Sequence, residues 1–371
     1  MSSQKRFIFL DSDYRYGFHV SKSPTLSATV QRVGKDLPFR NFQTYLGNPR
    51  SNSVSNCDVD DIASARELLE MYNLKMFIHG CLMYNLCGAP NHRKDPKFDY
   101  NLKNTSNGLT IELDIAAGLG CGGVVVHPNS CHDIEKGLFT ASRTIETVLT
   151  KNTVESRHLA KKLGISHEKF KRKRKILLEN SAHEGGKRGW NLEELGKMIK
   201  GVPKELQGQV GVCIDTAHAY GAGIYDFGKI SDINKFYEDF EKEIGLEKLC
   251  LFHLNDSMNS LKKADNAYFG SHKDRHQNLG LGYIFGRKVT HPKEYSNGDG
   301  EIIWDPLRRE ALKEFFKQAY SRKIPIIGEP PSSSFGGIYD WETICEILKD
   351  TEFPLRKIET VGYDRTIKKE K

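Results

Sequence analysis

Eight short apolar segments alternate with amphipathic helical patterns along 371 residues, and six of the eight carry a histidine, aspartate or glutamate at or near their C-terminal end. That alternation predicts an α/β fold, a (β/α)8 TIM barrel forming a single domain with basic and loop insertions. A doubly wound parallel sheet is the main competing arrangement. The length accommodates one large domain, assigned to residues 14–350, followed by a C-terminal tail at 351–371.

The strand segments are Tyr16–Val20, Asn41–Leu46, Lys75–His79, Gly122–His127, Ile176–Glu179, Val210–Asp215, Leu249–Asn255 and Ile324–Glu329. They are apolar on both faces, as parallel strands covered by helices must be. After the second, Asp58, Asp60 and Asp61 suit a helix N-terminus, and Ile62, Ala65, Leu68, Leu69 and Tyr72 follow on one stripe. Gly118, Gly120, Gly122 and Gly123 precede the fourth strand, whereas a phosphate-cradling glycine loop follows one, so they predict a helix-to-strand turn. After the fifth strand, Asn191 and Glu194 resemble a capping box before Leu192, Leu195, Met198 and Ile199. Asp305-Pro306 supplies a cap and an N1 proline before Leu312, Phe315, Phe316 and Ala319.

Charge and composition limit the function. Charged residues make up 28% of the chain and mean hydropathy is −0.54, which excludes a membrane protein. The only apolar stretch near the N-terminus is Phe7–Leu10, so no signal peptide is expected. The eight cysteines, at positions 57, 81, 87, 121, 131, 213, 250 and 345, form no C-x-x-C pair and read as reduced thiols of a protein that is intracellular, cytoplasmic or nuclear, and not secreted. Net charge is +7, yet residues 151–175 hold ten Lys/Arg against Glu155 and Glu168, a local +8 that leaves −1 for the rest. This segment reads as a helical insertion ending in the run Lys171–Lys175, which predicts either a nonspecific phosphate clamp or a nuclear signal.

The strand ends carry the chemistry. His79, His127, Glu179, Asp215, His253 and Glu329 come from six successive strands and would face one another around the C-terminal mouth of a barrel. One such residue is commonly a satisfied polar group, but six together need partners, and a cation is the natural one. Asp215-Thr-Ala-His218 adds His218 within a helical turn, and Asp274-Arg-His276 adds two side chains leaving one face of an extended segment. Five histidines, two aspartates and two glutamates exceed one tetrahedral ion and suit a cluster of two or three zinc or manganese ions.

The motifs Gly17-Phe-His-Val-Ser21, Ile78-His-Gly80, Val124-Val-Val-His-Pro128, Leu178-Glu-Asn180, Val212-Cys-Ile-Asp-Thr-Ala-His218, His253-Leu-Asn-Asp256 and Asp274-Arg-His276 resemble the endonuclease IV family from about residue 16 to residue 330. Those proteins are zinc-dependent apurinic/apyrimidinic endonucleases on a (β/α)8 barrel. The resemblance implies three Zn2+ per chain: His79 and His127 on the first, Glu179 bridging to the second, Asp215, His253 and Glu329 completing the second, and His218, Asp274 and His276 on the third. It also implies hydrolysis of the phosphodiester 5′ to an abasic site in double-stranded DNA, leaving a 3′-hydroxyl and a 5′-deoxyribose phosphate, with 3′-end repair as a second activity. Glu179 becomes the expected catalytic carboxylate, and the protein is expected to be a monomer without membrane contact. Clustered cations suit the chemistry, because they lower the pKa of bound water from about 15.7 toward about 7 and neutralise phosphate oxygens.

By motif position the resemblance also assigns DNA-binding roles to Arg50 and Leu82, which would fill the gap left when the abasic nucleotide turns out of the stack. The family usually has Tyr where Leu82 stands, and Tyr84 is a further candidate. Other departures are Asn129 in place of Gly, Pro330 in place of Thr, and additions at 261–268 and 287–303. His19 lies in a matching motif with no assigned role beyond nearness to the mouth. Two other functions compete: a xylose-isomerase-like sugar isomerase or epimerase, which needs no Asp-Arg-His loop and no basic insertion, and a damaged-DNA-binding protein without turnover.

Overall fold

The computed structural model describes residues 5–9, 16–51, 58–88, 96–264, 267–286, 305–331, 337–349 and 351–359. Its centre is a closed barrel of eight parallel strands: β1 (Tyr16–His19), β2 (Asn41–Tyr45), β3 (Lys75–His79), β4 (Val124–Val126), β5 (Ile176–Glu179), β6 (Val210–Asp215), β7 (Leu249–His253) and β8 (Ile326–Gly328). The order follows the sequence, and β8 pairs with both β7 and β1 to close the ring. Closure excludes the doubly wound sheet. β4 starts later than the apolar pattern suggests, because Gly123 has φ +146, and β8 follows Lys323 at φ +55.

The helices α1 (Leu26–Asp36), α2 (Val59–Met71), α3 (Pro96–Leu119), α4 (Ile134–Thr150), α5 (Val154–Lys162), α6 (His167–Lys171), α7 (Leu192–Lys200), α8 (Thr216–Ala222), α9 (Ile230–Glu243), α10 (Pro306–Ser321) and α11 (Ile338–Leu348) accompany the strands. The expected caps form: Asp58 accepts from Asp60 and Asp61 N–H, Asn191 from Glu194 N–H, and Asp305 from Leu307 N–H ahead of the N1 proline. Gly120 ends α3 at φ +75 while Cys121 N–H bonds Ala116 O, so this glycine serves a helix C-terminus and not a phosphate.

One small cluster inside the barrel explains how the site is built. Phe77, Val125, Leu177, Cys213, Leu251 and Ile327, one from each of β3 to β8, pack together as a fully enclosed layer. Side chains alternate along a strand, so the next inward positions are two residues on. Those positions are His79, His127, Glu179, Asp215, His253 and Glu329. The apolar layer is thus the floor on which six chemically active side chains stand.

The basic segment differs from its expectation. α5 and α6 pack on α3 and α2 through Leu159, Ala160 and Phe170, and Arg174 is completely buried. Its guanidinium pairs with Asp114 at 2.8 Å and donates to the carbonyls of Val148, Leu149 and Lys151. Lys175 precedes β5, and Gln209, just before β6, bonds the carbonyls of Lys171 and Arg174. The run Lys171–Lys175 therefore sits at the N-terminal end of the barrel, away from the strand ends bearing the acidic and imidazole groups.

Residues 355–359, within the expected tail, form a strand antiparallel to residues 5–9. Part of the 261–268 addition is a hairpin, Lys262–Ala264 against Ala267–Phe269, while 287–303 and Cys57 lie outside the described residues. The other seven cysteines are free thiols. Among the described residues no helix is long and apolar enough to cross a membrane.

Candidate metal centre

Eight of the nine side chains singled out from sequence converge at the C-terminal mouth in adjoining groups: His79, His127 and Glu179; Glu179, Asp215, His253 and Glu329; and Asp215, His218 and His276. Glu179 belongs to two groups and so stands between them. Its Oε2 lies 3.3 Å from His79 Nε2 and 3.4 Å from His127 Nε2, while its Oε1 lies 2.9 Å from His253 Nδ1. Glu329 Oε2 is 3.3 Å from the same His253 nitrogen. Asp274 reaches the third group from its loop, its Oδ1 lying 3.2 Å from His218 Nε2 and 3.3 Å from His276 Nε2.

Local structure aims each ring. Asp215 is both the end of β6 and the N-cap of α8, accepting from His218 N–H, so strand and helix are fused at this candidate ligand pair. His79 Nδ1 faces Gly80 O at 2.8 Å, His218 Nδ1 faces Asn180 O at 2.9 Å, and His276 Nδ1 faces Glu329 O at 3.2 Å. A carbonyl only accepts, so each Nδ1 carries a hydrogen, and Nε2 is the nitrogen turned toward the carboxylates. Residues 256–257 pair with 276–277, which brings the Asp-Arg-His loop over the mouth. Glu184 Oε1 accepts from Asp274 N–H at 3.4 Å, tying that loop to the one after β5.

The electrostatics call for positive charge. Burial opposes ionisation of Glu179, but His127 and His253 outweigh it and hold the carboxyl well below its usual range. Asp274 is likewise held low, burial being overcome by His218 and His276. Burial disfavours the His253 imidazolium, yet Glu329 and Glu179 raise it to about 9, and Asp215 and Asp274 raise His276 to about 9. His127 goes the other way, pushed down to about 4 by burial despite Glu179. Several anionic oxygens are therefore balanced by protons on imidazoles, the arrangement a divalent cation replaces with release of those protons. Unpaired atoms agree: His127 Nδ1, Glu179 Oε2 and His276 Nε2 are buried without a hydrogen-bond partner among the described residues. Imidazole and carboxylate with no thiolate is a donor set that fits zinc.

Three asparagine and glutamine side chains in this network carry no role in the sequence reading. Asn180 accepts from Asp215 N–H and donates to Asp215 O. Asn255 donates to Asp215 Oδ2 at 2.6 Å and accepts from Glu329 N–H. Gln43 lies between His19, His253 and Glu329. The signal for the first two was present, an asparagine one or two residues past a ligand at the ends of β5 and β7. Asp256, by contrast, is no ligand: its carboxylate accepts from Gly280, Gly282, Ile284 and Phe285 N–H and pins the following loop.

At the rim, Arg50 is exposed and Leu82 is 37% exposed. Their loops are joined, since Leu82 N–H donates to Pro49 O at 2.9 Å. Tyr84 cannot stand in for the family's tyrosine, because it is 3% exposed and hydrogen-bonds Glu112 on α3. The neighbour that is exposed is Met83, at 53%. Asn129 has φ +68, a region where glycine is favoured and asparagine is the next most tolerant residue. Its amide donates to Tyr84 O at 2.9 Å and Leu82 O at 3.4 Å, so the departure from glycine fastens the rim loop.

A family model described as a xylose isomerase-like TIM barrel matches residues 32–291. The protein named probable endonuclease 4 of Clostridium beijerinckii is 33% identical over 247 residues, 66% of this chain and 74% of that protein. Its counterpart in Thermosipho africanus is 28% identical over 83% of this chain and 89% of its own length. Among solved structures, endonuclease IV of Thermus thermophilus superposes with TM-score 0.62 at 24% identity, covering 91% of this chain and all of that one. A D-tagatose 3-epimerase-like protein also shares the barrel, with TM-score 0.53 and 16% identity. The barrel is thus common to several chemistries, but the Clostridium and Thermosipho relatives carry one name, and this chain is a member of the endonuclease IV family.

Proposed function

We propose that the protein is a zinc-dependent endonuclease of DNA repair that hydrolyses the phosphodiester 5′ to abasic sites in double-stranded DNA, leaving a 3′-hydroxyl and a 5′-deoxyribose phosphate, and that it also trims blocked 3′ ends. The observation that carries this reading is the convergence of imidazole and carboxylate groups at the barrel mouth, eight of them in three adjoining sets and Asp274 beside the third, in a chain of this family. His79, His127 and Glu179 would hold one Zn2+, Glu179, Asp215, His253 and Glu329 a second, and His218, Asp274 and His276 a third. Bound zinc supplies Lewis acidity: it activates water at neutral pH and neutralises charge on the phosphate.

The chain's own groups do the rest. Glu179, set on the rigid end of β5 with Oε2 toward His79 and Oε1 toward His253, would serve both of the first two positions. Asn180 and Asn255 orient Asp215 so that its carboxylate faces both the second and third positions. Arg50 and Leu82 stand on joined loops at the rim, where they would fill the gap left by an extruded abasic nucleotide, with Met83 beside them. One chain supplies all nine groups, so the centre needs no second copy and a monomer suffices. A sugar isomerase or epimerase would share the barrel but has no use for Asp274 and His276 as added ligands. The test is incubation of the purified protein with an abasic-site duplex and, separately, with ketose sugars: cleavage 5′ to the lesion supports the proposal, and epimerisation without cleavage overturns it.

A further inference from the structure

We propose that Gln43 is a positioning residue for the second metal position, its amide fixing the ring of His253 and one oxygen of Glu329 so that each presents a single lone pair to the ion. This rests on the zinc reading above. The inward layer at the mouth has eight members, one per strand, and β1 and β2 contribute His19 and Gln43, two residues past Gly17 and Asn41. Neither is among the nine grouped ligands, yet Gln43 is completely buried and every polar atom of its amide is engaged.

Its Oε1 lies 3.1 Å from His253 Nε2, and its Nε2 lies 2.8 Å from Glu329 Oε1 and 3.1 Å from His19 Nδ1. The amide orientation follows from chemistry: an ionised carboxylate only accepts, so the NH2 faces Glu329 and the carbonyl oxygen faces His253. That oxygen in turn requires a hydrogen of His253 on Nε2, so Nδ1, which faces Glu179 Oε1 and Glu329 Oε2, is the nitrogen whose proton an ion would displace. The NH2 group holds Glu329 Oε1 and so turns Oε2 toward His253 Nδ1, where its further neighbour is Asn255 Nδ2 at 3.4 Å. A primary amide is the side chain that accepts from an imidazole and donates to a carboxylate at once.

The other rings explain why this contact matters. His79, His218 and His276 are held through Nδ1 by backbone carbonyls, which no substitution removes. His253 alone among these four is held by a side chain. Outer partners of metal-bound histidines commonly contribute about 10–100-fold in metal affinity. The second position should therefore be selectively sensitive to residue 43.

Two variants test this. Gln43→Met keeps the volume without hydrogen bonds, and Gln43→Glu keeps an acceptor toward His253 but sets a second carboxylate against Glu329. Zinc bound per chain is measured after dialysis against graded chelator, alongside the absorption bands of the cobalt-substituted protein and the melting temperature of the metal-free form. The proposal expects one equivalent to leave at about 10–100-fold lower chelator strength in each variant. The other two equivalents should leave as in wild type, with one set of cobalt bands altered and metal-free melting unchanged. If Gln43→Met fails to fold, Gln43→Glu decides by the same criterion. Three ions retained as in wild type, or all three weakened together with a lowered metal-free melting temperature, would overturn it. A wild-type chain holding no zinc would instead overturn the metal reading on which it rests.

Discussion

The candidate ligand residues were legible one at a time because chemistry restricts such groups severely. A charged group at the end of a buried strand must have a partner, and six in register leave little besides a cation. Glu179 is the most exposed to test, since it stands between two groups and a neutral amide is a poor bridge between cations. Glu179→Gln is expected to leave the circular dichroism spectrum and melting curve of a folded barrel while lowering cleavage of an abasic duplex by orders of magnitude. Cleavage at the native rate would contradict the assignment. Asn180 and Asn255 were marked only by their places just past Glu179 and His253, and Gln43 not at all: neutral amides have many ordinary uses, and only distances show them bonded within this network. Glu112 was also hidden, since nothing in a helical stripe marks a buried carboxyl bonded by Tyr84. Burial raises its pKa to about 8, with Tyr84 and His79 opposing, so the folded protein keeps the proton over a range where the unfolded chain has lost it. Stability from this group is full below about 4.5 and lost as pH rises through about 8. Glu112→Gln should therefore change thermal stability in a pH-dependent manner, with its melting temperature gaining on wild type between pH 5 and pH 8; a constant difference over that range would refute the shift.

At the scale of elements, all eight strands were found in order, with ends displaced where glycine or a left-handed residue interrupts the ladder, as at Gly123 and Lys323. Caps were readable because Asp58, Asn191 and Asp305 act on their own neighbours. Loops were not, because their geometry depends on contacts between segments far apart in sequence. Tyr84 lies within two residues of an exposed leucine yet points into α3, and Met83, which sequence gave no reason to single out, is exposed in its place. The rim account predicts that Arg50→Ala and Leu82→Ala weaken binding to an abasic duplex far more than to a single-stranded abasic oligonucleotide, at unchanged zinc content. Asn129→Gly keeps the backbone conformation but removes the bonds to Leu82 O and Tyr84 O, and should show the same duplex-selective loss in milder form. Equal losses on both substrates, measured by fluorescence anisotropy, would remove these residues from the lesion gap.

For the molecule as a whole, composition misled where it treated charge as surface. Arg174 of the run Lys171–Lys175 forms a buried ion pair with Asp114 that ties the turn after α6 to α3, and only its neighbours Arg172 and Lys173 are exposed. Arg174→Met strands a carboxylate in the interior and should cost about 3–5 kcal/mol in urea unfolding, much of it recovered by also replacing Asp114 with a leucine. Each lysine or arginine that contacts phosphate contributes about 0.9 to the slope of log K against log salt. Neutralising Arg172 and Lys173, at the N-terminal end of the barrel, should leave that slope unchanged, whereas a fall of about two would bring the segment into the DNA interface. The floor of six apolar side chains, the ring above it and the joined rim loops make one claim together, that the mouth of this barrel is a three-zinc phosphodiesterase centre. The most direct measurement is zinc per chain, determined together with cleavage of an abasic-site duplex before chelation, after chelation and after zinc is restored. The account predicts three equivalents, cleavage 5′ to the lesion, loss of both on chelation and recovery with zinc; cleavage that persists in the metal-free protein would contradict it.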